Sequence, residues 1–173
     1  MKYLLLLFVS AILISCGATV NYDYDTQKDF SVYKTYDFFP EIDSGLSELD
    51  NFRVMKMTDS ILQTNGFIKS ESPDFLINFF AKEFISQSST VIGVGVGGGG
   101  YNGSIGVSGG IPVGGNEINQ QLTLDFIDEK ADELIWQAEG NDVLKVKANS
   151  VKKDTYYYKL ISKMLNGFPP KKK

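Results

Sequence analysis

The 173-residue chain has no histidine, a single cysteine and a single tryptophan. Without histidine there can be no Ser-His-Asp triad, no Cys-His dyad and no histidine-ligated zinc. Cys16 is the only thiol, so no internal disulfide can form and stability must come from the packed core. No D-x-[DN]-x-[DN]-G run is present, which removes the simplest calcium loop. Positive charge is also short, with 17 basic residues against 21 acidic ones. Removing residues 1–15 takes Lys2 away and leaves 16 − 21 = −5, the wrong sign for a nucleic-acid partner. The sequence nominates no catalytic, cofactor-binding or metal-ligating residue.

What it does carry begins at its N-terminus. Lys2 is followed by the apolar run Leu4 to Ile14 and then Ser15-Cys16-Gly17. A basic start and a run too short to span a bilayer predict a secretory signal over residues 1–15. Leu13-Ile14-Ser15-Cys16 reads as a bacterial lipobox, in which Cys16 is acylated and becomes the new N-terminus. Two or three acyl chains then hold the protein permanently to a membrane. Residues 16–18 form the lipidated start, 19–170 a single domain, and 171–173 a basic, solvated tail.

Val20, Tyr22 and Tyr24 alternate with Asn21, Asp23 and Asp25, which predicts a half-buried strand. Thr35 to Phe39 predicts a second, ended by Pro40. From Leu49 to Asn65 the apolar residues Phe52, Val54, Met57, Ile61 and Leu62 recur at helical spacing, with Gly66 placed to take a left-handed cap. Phe75 to Ala81 is apolar on both parities and predicts a central strand covered on both faces. Ile118 to Phe126 and Leu134 to Glu139, joined through Asp128 to Asp132, predict a hairpin. Ser150 to Asn166, stopped by Gly167 and Pro169-Pro170, predicts a second helix with Val151, Tyr158, Ile161, Met164 and Leu165 within helical reach of one another. Because Tyr156, Tyr157 and Tyr158 point about 100° apart on a helix, at least one must be exposed. The order predicts an α+β two-layer sandwich, a mainly antiparallel sheet with both helices on one face and a glycine-rich β-hairpin.

That hairpin occupies residues 91–115, which hold 12 of the 17 glycines. Gly93, Gly95 and Gly98 match G-x-G-x-x-G, but no helix follows to hold a pyrophosphate. Instead Ile92, Val94 and Val96 alternate with Gly93, Gly95 and Gly97, and Ile105 and Val107 alternate with Gly106 and Ser108 across a turn at Asn102-Gly103. One face is apolar and the other nearly bare backbone. Glycine weakens a strand unless something approaches closely, so Gly93, Gly95, Gly97, Tyr101 and Gly106 form a candidate partner-binding ribbon, with a loosely ordered surface hairpin as the alternative.

Several strings resemble a known family. Asp23 to Pro40, Asn65-Gly66-Phe67, Pro73-Asp74-Phe75, the glycine ribbon, Leu124 to Gly140 and Asn166 to Pro170 together are similar to the domain of unknown function 4136, a group of bacterial lipoproteins. The likeness spans about residues 19–170, and the polar segment from Ser44 to Asp50 departs from it. It implies an αβ envelope lipoprotein with no assigned activity, carries over no catalytic residue, and suggests the outer membrane of a Gram-negative cell. Gly17 after the cysteine fits that site, and the lack of an acidic run from Gly17 to Tyr22 favours the periplasmic face.

Two other chemistries stay open. Asp23 and Asp25, expected on one strand face, and Asp125, Asp128 and Glu129, clustered near a strand end, are the carboxylates a glycan hydrolase would draw on. Tyr22, Tyr24, Phe30, Tyr33, Tyr36, Phe38 and Phe39 could line a lipid-carrying cavity, or simply fill the core. The leading expectation is a noncatalytic lipoprotein that binds the membrane through Cys16 and an envelope protein or glycan through its domain.

Overall fold

The computed structural model describes residues 17–87, 91–93, 110–112 and 116–171. In chain order the elements are β1 (Thr19–Tyr24), a 3-10 turn (Phe30–Val32), β2 (Thr35–Phe38), α1 (Glu48–Thr64), β3 (Ile68–Lys69), β4 (Phe75–Gln87), β5 (Val91–Gly93), β6 (Gly110–Pro112), β7 (Asn116–Asp128), β8 (Glu133–Lys145) and α2 (Ser150–Leu165). Six strands form one sheet in the order β1-β8-β7-β4-β2-β3, and β5 pairs with β6 apart from it. The three pairings from β1 to β4 are antiparallel. β2 runs parallel to both β4 and β3, so the sheet is mixed. The parallel corner arises because β2 and β3 are joined through α1 rather than by a tight turn.

Register explains which residues meet. Val20, Tyr22 and Tyr24 on β1 lie opposite Gly140, Ala138 and Trp136 on β8, which in turn face Leu122, Leu124 and Phe126 on β7. Phe126, Leu124 and Leu122 then face Ile77, Phe79 and Ala81 on β4. Both helices cover this face: Tyr36 on β2 donates its hydroxyl hydrogen bond to Asp59 Oδ1 of α1 at 2.8 Å, and α2 closes on β8 at Gly140. A Cβ at Gly140 would lie 2.7 Å from Met164 Sδ and 2.8 Å from Leu160 Cδ1, so a glycine is what lets helix and strand approach this closely. A one-residue irregularity between Phe126 and Ile127 leaves β8 with an extra residue, and both Ile135 and Trp136 are buried as a result.

The helices correct three expectations. On α1 the buried stripe is Asp50, Val54, Thr58 and Leu62, spaced by four, whereas Phe52 is 64% exposed. Two residues before Val54 is about 200° around the helix, so Phe52 belongs to the outer face. On α2 the buried pairs are Tyr156 and Tyr157, Leu160 and Ile161, Met164 and Leu165. Val151 and Tyr158 are exposed for the same angular reason. Tyr158 is thus the exposed member of the tyrosine run. Gly66 takes φ +90° after α1, as the cap reading expects.

Of the aromatics left open between a cavity and the core, most fill the core. Phe30, Tyr33, Tyr36 and Phe38 are buried, while Tyr22 is partly open. Phe168, just past α2, lies 4.6 Å from Phe126, 5.2 Å from Trp136 and 5.6 Å from Phe75, ring centre to ring centre. Trp136 is fully buried. Trp136→Ala should therefore lower stability by about 3–5 kcal/mol through lost burial and a residual cavity. Thermal melting measures it, and a shift of a degree or two would place the ring outside the core.

Candidate functional site

Cys16 lies just outside the described residues, but the segment that follows it is well tied down. Gly17 and Ala18 lead into β1. The Lys163 ammonium donates to the Ala18 carbonyl, and the Tyr22 hydroxyl donates to the Lys163 carbonyl at 2.6 Å. The start of the domain is thereby strapped across α2.

Of the ribbon residues, only Gly93 is described; Gly95, Gly97, Tyr101 and Gly106, and the expected turn at Asn102-Gly103, lie outside the described residues. The base of the ribbon is paired: Val91 faces Pro112, Ile92 faces Ile111, and Gly93 faces Gly110. The last pair of β4 and β7 is Gln87 with Asn116. From that pair to Val91 and Pro112 is four residues on each strand (91 − 87 and 116 − 112), so β5 and β6 keep the register of the long β4–β7 hairpin.

The carboxylates do not form one group. Asp23 and Asp125 lie in one row on the sheet face away from the helices, separated by Gln137. Asp25 falls beyond the end of β1, so it does not share a strand face with Asp23 as expected; its carboxylate accepts the Gln27 N–H at 2.8 Å and shapes a turn. Asp128 accepts from the Tyr33 hydroxyl at 2.7 Å and from the Lys130 and Ala131 N–H groups. The Tyr33 hydrogen bond first, and then those backbone donors against the cost of burial, hold the Asp128 carboxyl below its ordinary value. Glu129 sits in the same turn, its N–H bonded to the Asp74 carbonyl. Among the described residues no three acids or thiols are placed to hold a metal ion. No described helix is long and apolar enough to cross a membrane.

Two concavities flank the sheet ends. One, of about 750 Å³, is floored by Tyr24, Phe30, Tyr33 and Phe67, walled by Pro169 and Pro170, and rimmed by Lys28, Lys34 and Lys171. The other, of about 740 Å³, lies at the opposite end of the sheet, where Gly17 meets Gln121, Asn141 and Val143.

A buried ionic group escaped the sequence reading. Asp50 is 6% exposed and accepts from Lys153 Nζ at 2.6 Å, Ser47 Oγ at 2.8 Å and Arg53 Nη1 at 3.1 Å. Burial alone would raise its carboxyl, but the hydrogen bonds from Lys153 and Ser47 and the two cations outweigh it and leave the group lowered. Arg53 Nε also donates to Asp154 at 2.7 Å, so the first turns of α1 and α2 are bridged side by side. The signal available in sequence was the S-x-x-D spacing of Ser47 and Asp50.

The domain of unknown function 4136 matches residues 20–170. The chain belongs to that family. No curated protein matches it. Among solved structures it is similar to a DUF4136 family protein from Bacteroides thetaiotaomicron, 15% identical, covering 90% of this chain and 97% of that one at TM-score 0.51. It is similar to the PelC dodecamer of Paraburkholderia phytofirmans, 12% identical over 90% of this chain and 99% of that one at TM-score 0.53. A PDZ domain protein from Parabacteroides distasonis is 16% identical with TM-score 0.55, and this chain spans only 41% of its length. At these identities the likeness is one of fold.

Asp125 yields a pH prediction. Burial, with Glu139 adding repulsion and the Gln137 amide opposing, raises its carboxyl above the ordinary range. A raised acid holds its proton more tightly when folded than unfolded. Its contribution is thus most favourable at low pH and falls as pH rises from about 3.9 through the raised value. Asn at this position keeps an acceptor for Gln137 Nε2, which donates to Asp125 Oδ1 at 2.7 Å, but cannot ionise. Asp125→Asn should raise the melting temperature near about pH 7 and leave it little changed near about pH 3. A lower melting temperature at neutral pH would show that the charged form is the one the fold favours.

Proposed function

We propose that this protein is a noncatalytic lipoprotein of the cell envelope, anchored by acylated Cys16, whose domain serves as a binding or assembly module. The observation that carries the reading is the lipobox cysteine placed three residues ahead of β1 (19 − 16), with the intervening chain bonded to α2. A domain held this tightly against its anchor works at a membrane surface. The resemblance of the fold to PelC, which is a dodecamer, supports an assembly role. Of the acids a hydrolase would use, Asp25 and Asp128 are engaged in turns, and Asp23 and Asp125 are held two strands apart with Gln137 between them, which supports a reading without catalysis. The outer membrane, with the domain in the periplasm, is the site we assign to it, and an envelope protein or glycan is the partner class.

Cys16→Ser should abolish incorporation of a labelled fatty acid and leave the precursor unprocessed. Label retained by the substituted protein would overturn the anchor.

The ribbon is the surface we assign to the partner. Gly93→Val combined with Gly95→Val places methyl groups where another backbone would approach, while valine suits a strand better than glycine. The doubly substituted protein should melt at the parent temperature yet lose the parent's captured partners from detergent-solubilised envelopes. An unchanged set of partners would remove the ribbon from the binding surface.

A further inference from the structure

Both helices start at the end of the sheet from which the chain enters. β1 opens at Thr19, opposite Asn141, and β8 continues to Lys145 beyond that pair. The four further residues of β8 cover about 13 Å. From Thr19 back to Cys16 is three residues, which reach about 11 Å at most. The acylation site is therefore within about 11 Å of Thr19, at the end of the sheet where β8 finishes and where α1 and α2 begin, held together by the Asp50–Lys153 and Arg53–Asp154 pairs.

Four large apolar residues are exposed at that end, as Val32, Ile68 and Leu134 are at the other. Leu49 is 69% exposed, Phe52 64%, Val146 42% and Val151 71%. Leu49 and Val151 are each the second residue of their helix. Lysines stand beside Val146 and Val151: residues 143–153 carry Lys145, Lys147, Lys152 and Lys153 and no acid, while Asp142 and Asp154 flank that run and Glu48 is exposed beside Leu49. Lys153 is engaged by Asp50, while the other three are exposed. Apolar side chains that can enter the acyl boundary, beside lysines that can keep their ammonium groups at the headgroups, are what an interfacial membrane contact requires. Singly exposed apolar residues need no explanation, but these coincide with the anchor and with three exposed lysines.

We infer that the end formed by Leu49, Phe52, Val146 and Val151, with Lys145, Lys147 and Lys152, is a docking surface for the anionic phospholipid leaflet in which Cys16 is anchored. It rests on the acylated-cysteine reading and adds to it a fixed orientation: the domain meets the bilayer at this end, from which β5 and β6 also continue β4 and β7, so the ribbon's partner is to be sought at the membrane, and the aromatic cleft of Tyr24, Phe30 and Phe67 is turned away. Acylation alone would leave the domain free to tumble about the tether.

Because Cys16 is acylated, any introduced cysteine is the free thiol of the mature protein. Nitroxide labels at Phe52→Cys and Val151→Cys, and at Ile68→Cys and Leu134→Cys as exposed positions at the far end, should be compared in the acylated protein. The vesicles should contain phosphatidylethanolamine and phosphatidylglycerol. The first two labels should collide severalfold less with a water-soluble nickel chelate than the last two, and charge reversal of Lys145, Lys147 and Lys152 to Glu should restore their collisions while the protein still floats with the vesicles. Floating protein whose four labels are equally accessible would overturn the docking surface and leave the anchor standing. Protein that neither floats nor carries fatty acid would overturn both. Protection accompanied by spin–spin broadening that disappears on diluting protein in lipid would mean that a second copy covers the face, and would also overturn it.

Discussion

Phe168 is the contact on which the rest of the arrangement depends. It follows α2 directly, and its ring packs against Phe75 of β4, Phe126 of β7 and Trp136 of β8 at 4.6–5.6 Å, and against Phe67 before β3 at 5.2 Å. One side chain therefore joins three sheet strands to the segment that closes α1. Each such aromatic pair adds about 0.5–1.5 kcal/mol beyond its buried area. Pinning the C-terminal end of α2 here sets where its other residues fall, including the close passage of Met164 over Gly140. The acidic and basic residues at the opposite end of the helix pair then have one arrangement open to them, with Asp50 between Lys153 and Arg53.

Elements with strong periodicity were legible from the residues alone. The alternation in β1 and the stops at Gly66 and Gly167 led to the correct layers, whereas the apolar run of β4, read as covered on both faces, is central but covered on one: Phe75, Ile77 and Phe79 are buried and Leu76, Asn78 and Phe80 only half-buried, because both helices lie on the same side. What escaped had weak local signals. β3 is two residues long and exists only because β2 offers an edge. The parallel pairing of β2 with β4 depends on the path of α1, which no local pattern encodes. Phe52 and Val151 join the helical pattern only because they are apolar, and a stripe spaced by four excludes both. Asp50 and Thr58 fill the places that apolar residues usually take on α1, so hydropathy misassigned its inner face.

The candidate site divides in the same way. The lipobox at Cys16 is a short motif with chemistry of its own, so sequence is enough to nominate it. The carboxylates needed three dimensions: Asp128 looks available in sequence, yet Tyr33, distant in the chain, takes one of its oxygens. Asp125 looks like one polar member of an alternating strand, yet burial beside Glu139 alters its proton affinity. The glycine ribbon is visible as composition, and its base extends the register of the longest pair of strands in the fold.

The strap at the N-terminus has a mechanical consequence. β1 lies at the sheet edge and pairs with β8 through six consecutive residues, from Thr19–Asn141 to Tyr24–Trp136. A pull on the N-terminal end along the strand loads those pairings in shear, all at once, rather than peeling them one at a time. The bonds from Tyr22 and Lys163 add a second line of attachment, to a helix in the other layer. Load entering at the start of the domain is thus shared between sheet and helix before it reaches the core.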